Sequence, residues 1–257
     1  MGCKTVEVPW RIYAAHALST WGDNAWWFAG GCYMLELQRD SLRLTATYGL
    51  VIAASVLLAG ATIGRWIDRS RRLTAARAFL AAQNTAVSLC ALLLAAFLTY
   101  RDHVPAELQG WAVTAVSVAA ILLASLARLA STGTNIIIQK DWVVVIAAGD
   151  ADRLARMNSI LRTIELTTYM LAPAAVGQLF TFAGLGLTGV VLAGWNVASV
   201  CVEYLLLSLI YTKYPALASK ASPARQEEEG GQDCGELAGA LAGWRTYFTH
   251  PGIAALQ

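Results

Sequence analysis

Long apolar stretches separated by short charged ones organise this chain. A helix needs about 20 mainly apolar residues to cross a hydrocarbon core about 30 Å thick, and six stretches meet that length. The first, from about Ile12 to Leu35, is interrupted by one charge, Asp23. The second, Thr45 to Ile63, and the third, Ala78 to Tyr100, carry none. The fourth begins near Trp111, passes Arg128 and reaches toward Ile138. From Leu166 to Val202 there is again no charge, but the glycine-rich segment Phe182 to Gly189 reads as a turn and divides it into a tight hairpin of a fifth and a sixth helix. The sixth continues to about Tyr211 and carries Glu203. Pro173 removes a backbone donor from the fifth helix, which predicts a kink. Gly60 and Gly64 make a GxxxG step on the second, which predicts close helix packing there.

The charges between these stretches orient them, because Lys and Arg are retained on the cytoplasmic side of a membrane. One set of ends holds Lys4, Arg11, the cluster Arg65 to Arg77, Lys140, Arg153, Arg156, Lys213, Lys220 and Arg225; the other holds only Arg39, Arg43 and Arg101. Both the N-terminus and the segment after the sixth helix are therefore expected in the cytoplasm. Trp10, Tyr13, Tyr100, Trp111, Tyr211 and Tyr214 sit near span ends, where interfacial rings are favoured. The expected organisation is a cytoplasmic N-terminus over residues 1–11, an all-α lobe of six transmembrane helices over 12–211, and a linker over 212–243. That linker, with Pro215, Pro223, Gly230, Gly231 and the run Glu227 to Glu229, has the composition of a disordered cytoplasmic segment. Residues 244–257 turn apolar again and read as the start of a second, truncated lobe.

Composition agrees. Apolar residues make up 57% of the chain and charged ones 14%, well below the roughly 25% usual for soluble domains, and the net charge of +2 gives no reason to expect a nucleic-acid partner. The bilayer is the expected surrounding. Five cysteines without CxxC or zinc spacing read as packing thiols. No nucleophile elbow, phosphate loop or HExxH motif occurs, so an enzyme is not expected and no cofactor is called for.

Candidate chemistry lies inside the spans. A carboxylate near a helix centre costs about 2.5–3.5 kcal/mol on insertion scales, so Asp23 must face protein, water or a cation. His16, Ser19, Thr20 and Asp23 share one stripe of the first helix. Gln83 and Asn84 lie on the third, and Asn196 and Glu203, seven apart, share a face of the sixth. Oxygen donors from three helices suit a divalent cation such as Fe2+ or Ca2+; a satisfied interhelical hydrogen-bond network is the alternative. The loop from Gly64 through Asp68 and Arg69 to Arg71 and Arg72 resembles the signature loop of the major facilitator superfamily, although a plain positive-inside cluster would also read this way.

Five stretches extend the resemblance: His16 to Asp23, Leu44 to Val51, Gln139 to Val145, Leu171 to Gln178 and Gly194 to Tyr204 are similar to ferroportin, the solute carrier family 40 iron exporters. The similarity runs from about Ile12 to Pro215 and returns at Gly243 and Trp244, which corresponds to the family's N-terminal half. It implies a major facilitator fold and export of ferrous iron across the plasma membrane, completed by a second lobe or a full-length partner. A truncated membrane protein that binds or regulates such a partner without transporting is the rival expectation. The resemblance also implies that Asp23, Gln83, Asn196 and Glu203 belong to a cation cavity. It implies further that Asp68, Asp141, Asn158 and Arg162 belong to a cytoplasmic gate, to which the basic loop adds Arg72. Departures accompany it: Trp27 stands where the animal exporters usually carry a histidine, Arg128 replaces a usual asparagine, and Glu165, Leu166 and Tyr169 replace a usual Asp, Gln and Asn.

The charge pattern makes a direct prediction about topology. Tags placed before Lys4 and after Gln257 should both be reached only from the cytoplasm and one at Asp102 only from outside. An outward terminus in a protease-protection assay would overturn the orientation.

Overall fold

The computed structural model describes residues 9–217. Residues 1–8 and 218–257, and with them most of the expected linker and the whole 244–257 segment, lie outside the described residues. The rest is all helical: α1 (Trp10–Leu37), α2 (Arg43–Arg69), α3 (Arg72–Tyr100), α4 (Ala106–Asn135), a π-helical segment (Ile136–Trp142), α5 (Val143–Ala147) and α6 (Ala151–Lys213). Helix is the expected state for apolar chain in lipid, where every backbone N–H and C=O must find its partner within the segment. Among the described residues, four helices are long and apolar enough to cross a membrane: α2, α3, α4 with its continuation to Ala147, and α6. α1 has the length, with 28 residues, but its polar stripe makes it less apolar.

α6 has 63 residues, more than twice what a crossing needs, and it does not run straight. Gly184 adopts φ 74°, ψ 176°, a region essentially reserved for glycine, and the chain reverses there. Met157 and Leu161 before the break share a cluster with Leu207 and Ile210 after it, and Ala172 and Val176 share another with Leu192 and Ala193. Such pairings require the two halves of α6 to return alongside each other. The break is a single residue, Gly184, rather than the Phe182 to Gly189 segment read as a turn. Tyr33 of α1 closes the corner: its hydroxyl donates to the Leu185 carbonyl at 2.8 Å, and its ring meets Phe180 edge-on at 5.3 Å. Pro173 sits within α6, where only Gly184 leaves helical dihedrals.

Two apolar clusters stack along the bundle. One gathers Trp26, Tyr33 and Met34 of α1 with Cys90 and Leu94 of α3 and Ala124 of α4. The other gathers Ile12, Leu80, Trp142, Leu161, Leu207 and Ile210. In sequence, the residues between the two sets on each helix include the polar ones: His16 to Asn24, Gln83 to Thr85, Arg128 to Asn135, Arg162 to Thr168 and Asn196 to Glu203. Cys90 packs as expected, its thiol directed at the Ala120 carbonyl at 3.5 Å. The Gly60 and Gly64 step is a correction to the sequence reading: a Cβ at either position would meet nothing within 4 Å, so no neighbouring helix among the described residues uses it. α2 is mostly exposed, with only Tyr48, Ile52 and Ile67 buried, and its apolar side chains have the character of a lipid-facing surface.

Close approach occurs instead at Gly189, where α6 crosses α3. A Cβ there would collide with the Ala95 Cβ and lie 2.8 Å from the Ala91 carbonyl oxygen and 2.9 Å from the Tyr33 hydroxyl. Since overpacking costs about 1–3 kcal/mol, Gly189→Ala should lower the thermal midpoint in detergent by several degrees. Gly177→Ala, whose Cβ would meet nothing within 4 Å, should not, and equal midpoints for the two variants would contradict this packing.

Candidate functional site

Asp23 is the centre of the polar layer. The α1 stripe turns it toward α3 and α4, where both carboxylate oxygens are engaged. Gln83 Nε2 donates to Oδ1 at 2.6 Å and Ser131 Oγ donates to Oδ2 at 2.6 Å. These short, charge-assisted bonds join three helices through one side chain. Gln83 is itself buried, and its other amide atom, Oε1, has no hydrogen-bond partner. At the next residue, Asn24 Nδ2 donates to Thr168 Oγ1 of α6 at 3.1 Å.

Asn196 and Glu203 are buried on the second half of α6 but do not bond to Asp23. The Asn196 amide donates to the Leu192 carbonyl at 2.8 Å, and its Oδ1 faces the backbone of Gly22, the residue before Asp23. Glu203 accepts from Ser199 of its own helix, has Ser19 of α1 nearby, and lies close enough to Asp23 for the two carboxylates to act on each other. The four residues expected in a cation cavity therefore line one flank of α1 from Ser19 to Asp23, while only Asp23 and Gln83 touch directly. Among the described residues no three His, Cys, Asp or Glu side chains gather as a metal cluster. A cation here would rest on one carboxylate and neutral oxygens.

On its open side Asp23 lines a cleft of about 390 Å³, together with Thr20, Asn24, Trp27, Arg128, Asn135, Arg162, Glu165, Leu166 and Tyr169. Trp27 projects into this space at 47% exposure, and the Arg128 guanidinium carbon lies 5.7 Å from the centre of its ring. Farther along, Glu165 collects three neighbours. Arg162 donates to its Oε2 at 3.0 Å, Gln139 donates to its Oε1, and His16 Nε2 lies 3.3 Å from Oε1. Sequence reasoning placed Arg162 at a gate; the structure sets it on the rim of the Asp23 cleft.

The remaining gate candidates separate. Arg72 grips Asp141 through two parallel bonds, Nε to Oδ2 at 2.7 Å and a terminal nitrogen to Oδ1 at 2.8 Å, and also reaches the Leu217 carbonyl at 3.4 Å. This fork ties the start of α3 to the π segment and to the chain that leaves α6. Asp68 and Asn158 are exposed and take no part in it. Ser19 lies on the polar stripe read for the first helix, but Ser131 and Ser199 were not among the residues expected at the site. A serine inside an apolar helix carries no periodic signal, although small hydroxyls facing a buried carboxylate are what such a group requires.

The chain is similar to known proteins. The chain is 45% identical over 218 residues to ferroportin of dog (Canis lupus familiaris) and of Homo sapiens, covering 85% of this chain and 38% of each relative. It is 34% identical to solute carrier family 40 member 1 of rice (Oryza sativa subsp. japonica), covering 84% of this chain and 45% of that one. It thus spans less than half the length of these relatives. Among solved structures, a bacterial homologue of the iron transporter ferroportin in an outward-facing state with soaked iron matches with a TM-score of 0.73 and 26% identity over 84% of this chain and 52% of that one. The inward-facing state of a bacterial homologue matches with a TM-score of 0.69 and 25% identity, covering 86% and 55%. Residues 7–251 match the family model described as Ferroportin1, and the chain belongs to that family.

Proposed function

We propose that this chain forms the N-terminal lobe of a ferrous-iron exporter of the plasma membrane and that Asp23 holds the ion in transit. The lobe crosses the bilayer six times, through α1, α2, α3, the α4 to α5 run and the two halves of α6, with both ends cytoplasmic. A second lobe, within a longer polypeptide or from another chain, completes the pathway. The relatives named ferroportin support the substrate.

The observation that carries the site is the buried Gln83 Oε1, which lacks a donor beside an engaged carboxylate. An amide turned over would replace an N–H facing Asp23 Oδ1 with a second oxygen, and two oxygens facing each other are a seat for a cation. Ser131 can rotate its hydroxyl in the same way to offer a lone pair. Asn196 and Glu203 line the next turn of α1 and supply oxygens along the path. Arg72, Asp141 and Arg162, with the exposed Asp68 and Asn158, serve the cytoplasmic gate. There the Arg72–Asp141 fork holds α3 and the π segment in place, and the free acid and amide are available to a second lobe.

All these donors are oxygens, which hard ions such as Ca2+ accept as readily as Fe2+; imidazole would favour the transition metal. Isothermal titration of the full chain in nanodiscs checks both points. Asp23→Ala should weaken cobalt(II), iron(II) and calcium binding by about tenfold or more, corresponding to about 1.4 kcal/mol. Trp27→His should tighten cobalt(II) and iron(II) with little gain for calcium. If Asp23→Ala binds metal as well as the parent chain does, the carboxylate serves a structural network and the site assignment fails.

A further inference from the structure

The Asp23 cleft contains its own cation. Four charged side chains line it: Asp23, Glu165, Arg128 and Arg162. Arg162 is neutralised by its bond to Glu165, which Gln139 and His16 also approach. Arg128 is different. Its guanidinium makes no hydrogen bond or ion pair among the described residues, and its contact is the face of Trp27. A ring face attracts a guanidinium without cancelling its charge, so that charge stays directed into the cleft. It is near enough to act on the Asp23 carboxylate, yet that carboxylate bonds to Gln83 and Ser131 instead.

We propose that Arg128, held over Trp27, is a resident competitor for the cation site at Asp23 and sets that site's affinity low. This rests on the transport reading above. An arriving divalent ion meets, in one cleft, the Asp23 carboxylate that attracts it and the Arg128 guanidinium that repels it. Both forces scale with the ion's charge and neither depends on its ligand preference. Arg128 therefore governs how tightly any divalent ion is held and leaves the choice among them to the donor atoms. For an exporter this favours release, since an ion held weakly in the cleft leaves quickly. Trp27 acts as the positioning residue, fixing a long side chain that would otherwise extend into water.

Titration of cobalt(II) chloride and calcium chloride into the full chain in nanodiscs tests this. Arg128→Gln, nearly the same length but neutral, should tighten both ions by about tenfold and by similar factors. Arg128→Lys keeps the charge and should stay within about twofold of the parent chain, which separates charge from bulk and from folding, since Arg128 is exposed. Asp23→Ala combined with Arg128→Gln should bind neither ion at the site. If Asp23→Ala abolishes binding but Arg128→Gln matches the parent chain, the competitor role is overturned while the site stands. Weaker binding in Arg128→Gln would overturn it too, by making the guanidinium a contributor. If Asp23→Ala alone leaves binding unchanged, the failure belongs to the site itself.

Discussion

A carboxylate in the middle of an apolar bundle must be given partners or be expelled, and the arrangement of helices follows from how Asp23 is given them. Its two oxygens take one donor from α3 and one from α4. Those donors must be polar groups on otherwise apolar helices at the right height, and they define a level at which the bundle is hydrophilic. The apolar clusters on either side close it off. The polar layer is thus both the weakest part of the core in hydrophobic terms and the part that fixes the mutual register of three helices, because sliding any of them by one turn would strand a buried charge or amide.

Much of this was legible in the chain. Uninterrupted apolar runs give helices in lipid because the helix satisfies its own backbone hydrogen bonds, so α2 and α3 could be placed, although the end of α2 and the start of α3 each extend six residues beyond the expected bounds into charged sequence. The ends of the charged helices were less legible: α6 begins at Ala151, well before the apolar run at Leu166, because Asp150 caps it by accepting from the Arg153 backbone and polar residues beyond the bilayer continue a helix without difficulty. The width of the α6 turn was overestimated because Gly184, Gly186 and Gly189 look alike as letters. One of them turns the chain, whereas Gly189 makes room for α3 and Tyr33.

Pairings across the bundle were the least legible. Arg72 and Asp141 are 69 residues apart, and nothing in their local sequence selects one acid over the exposed Asp68, which the loop pattern brought to the fore. Arg128 read as polarity within the fourth span; only its position over Trp27 shows that two departures from the family pattern meet in one place. Trp27 and Arg128, two of the positions at which the resemblance implied departures, stand side by side on the same wall of the cleft.

The π-helical segment Ile136–Trp142 has a consequence for how the inner end of this helix is addressed. A π turn holds one more residue than an α turn, so it shifts the phase of every side chain that follows by roughly 100°. Before the segment, the α4 stripe carries Ser131 to Asp23; at its far end, Asp141 and Trp142 meet α3 and the second apolar cluster. One continuous helix thus serves two different neighbourhoods at its two ends, and the extra residue is the dislocation that lets a single rod present two faces.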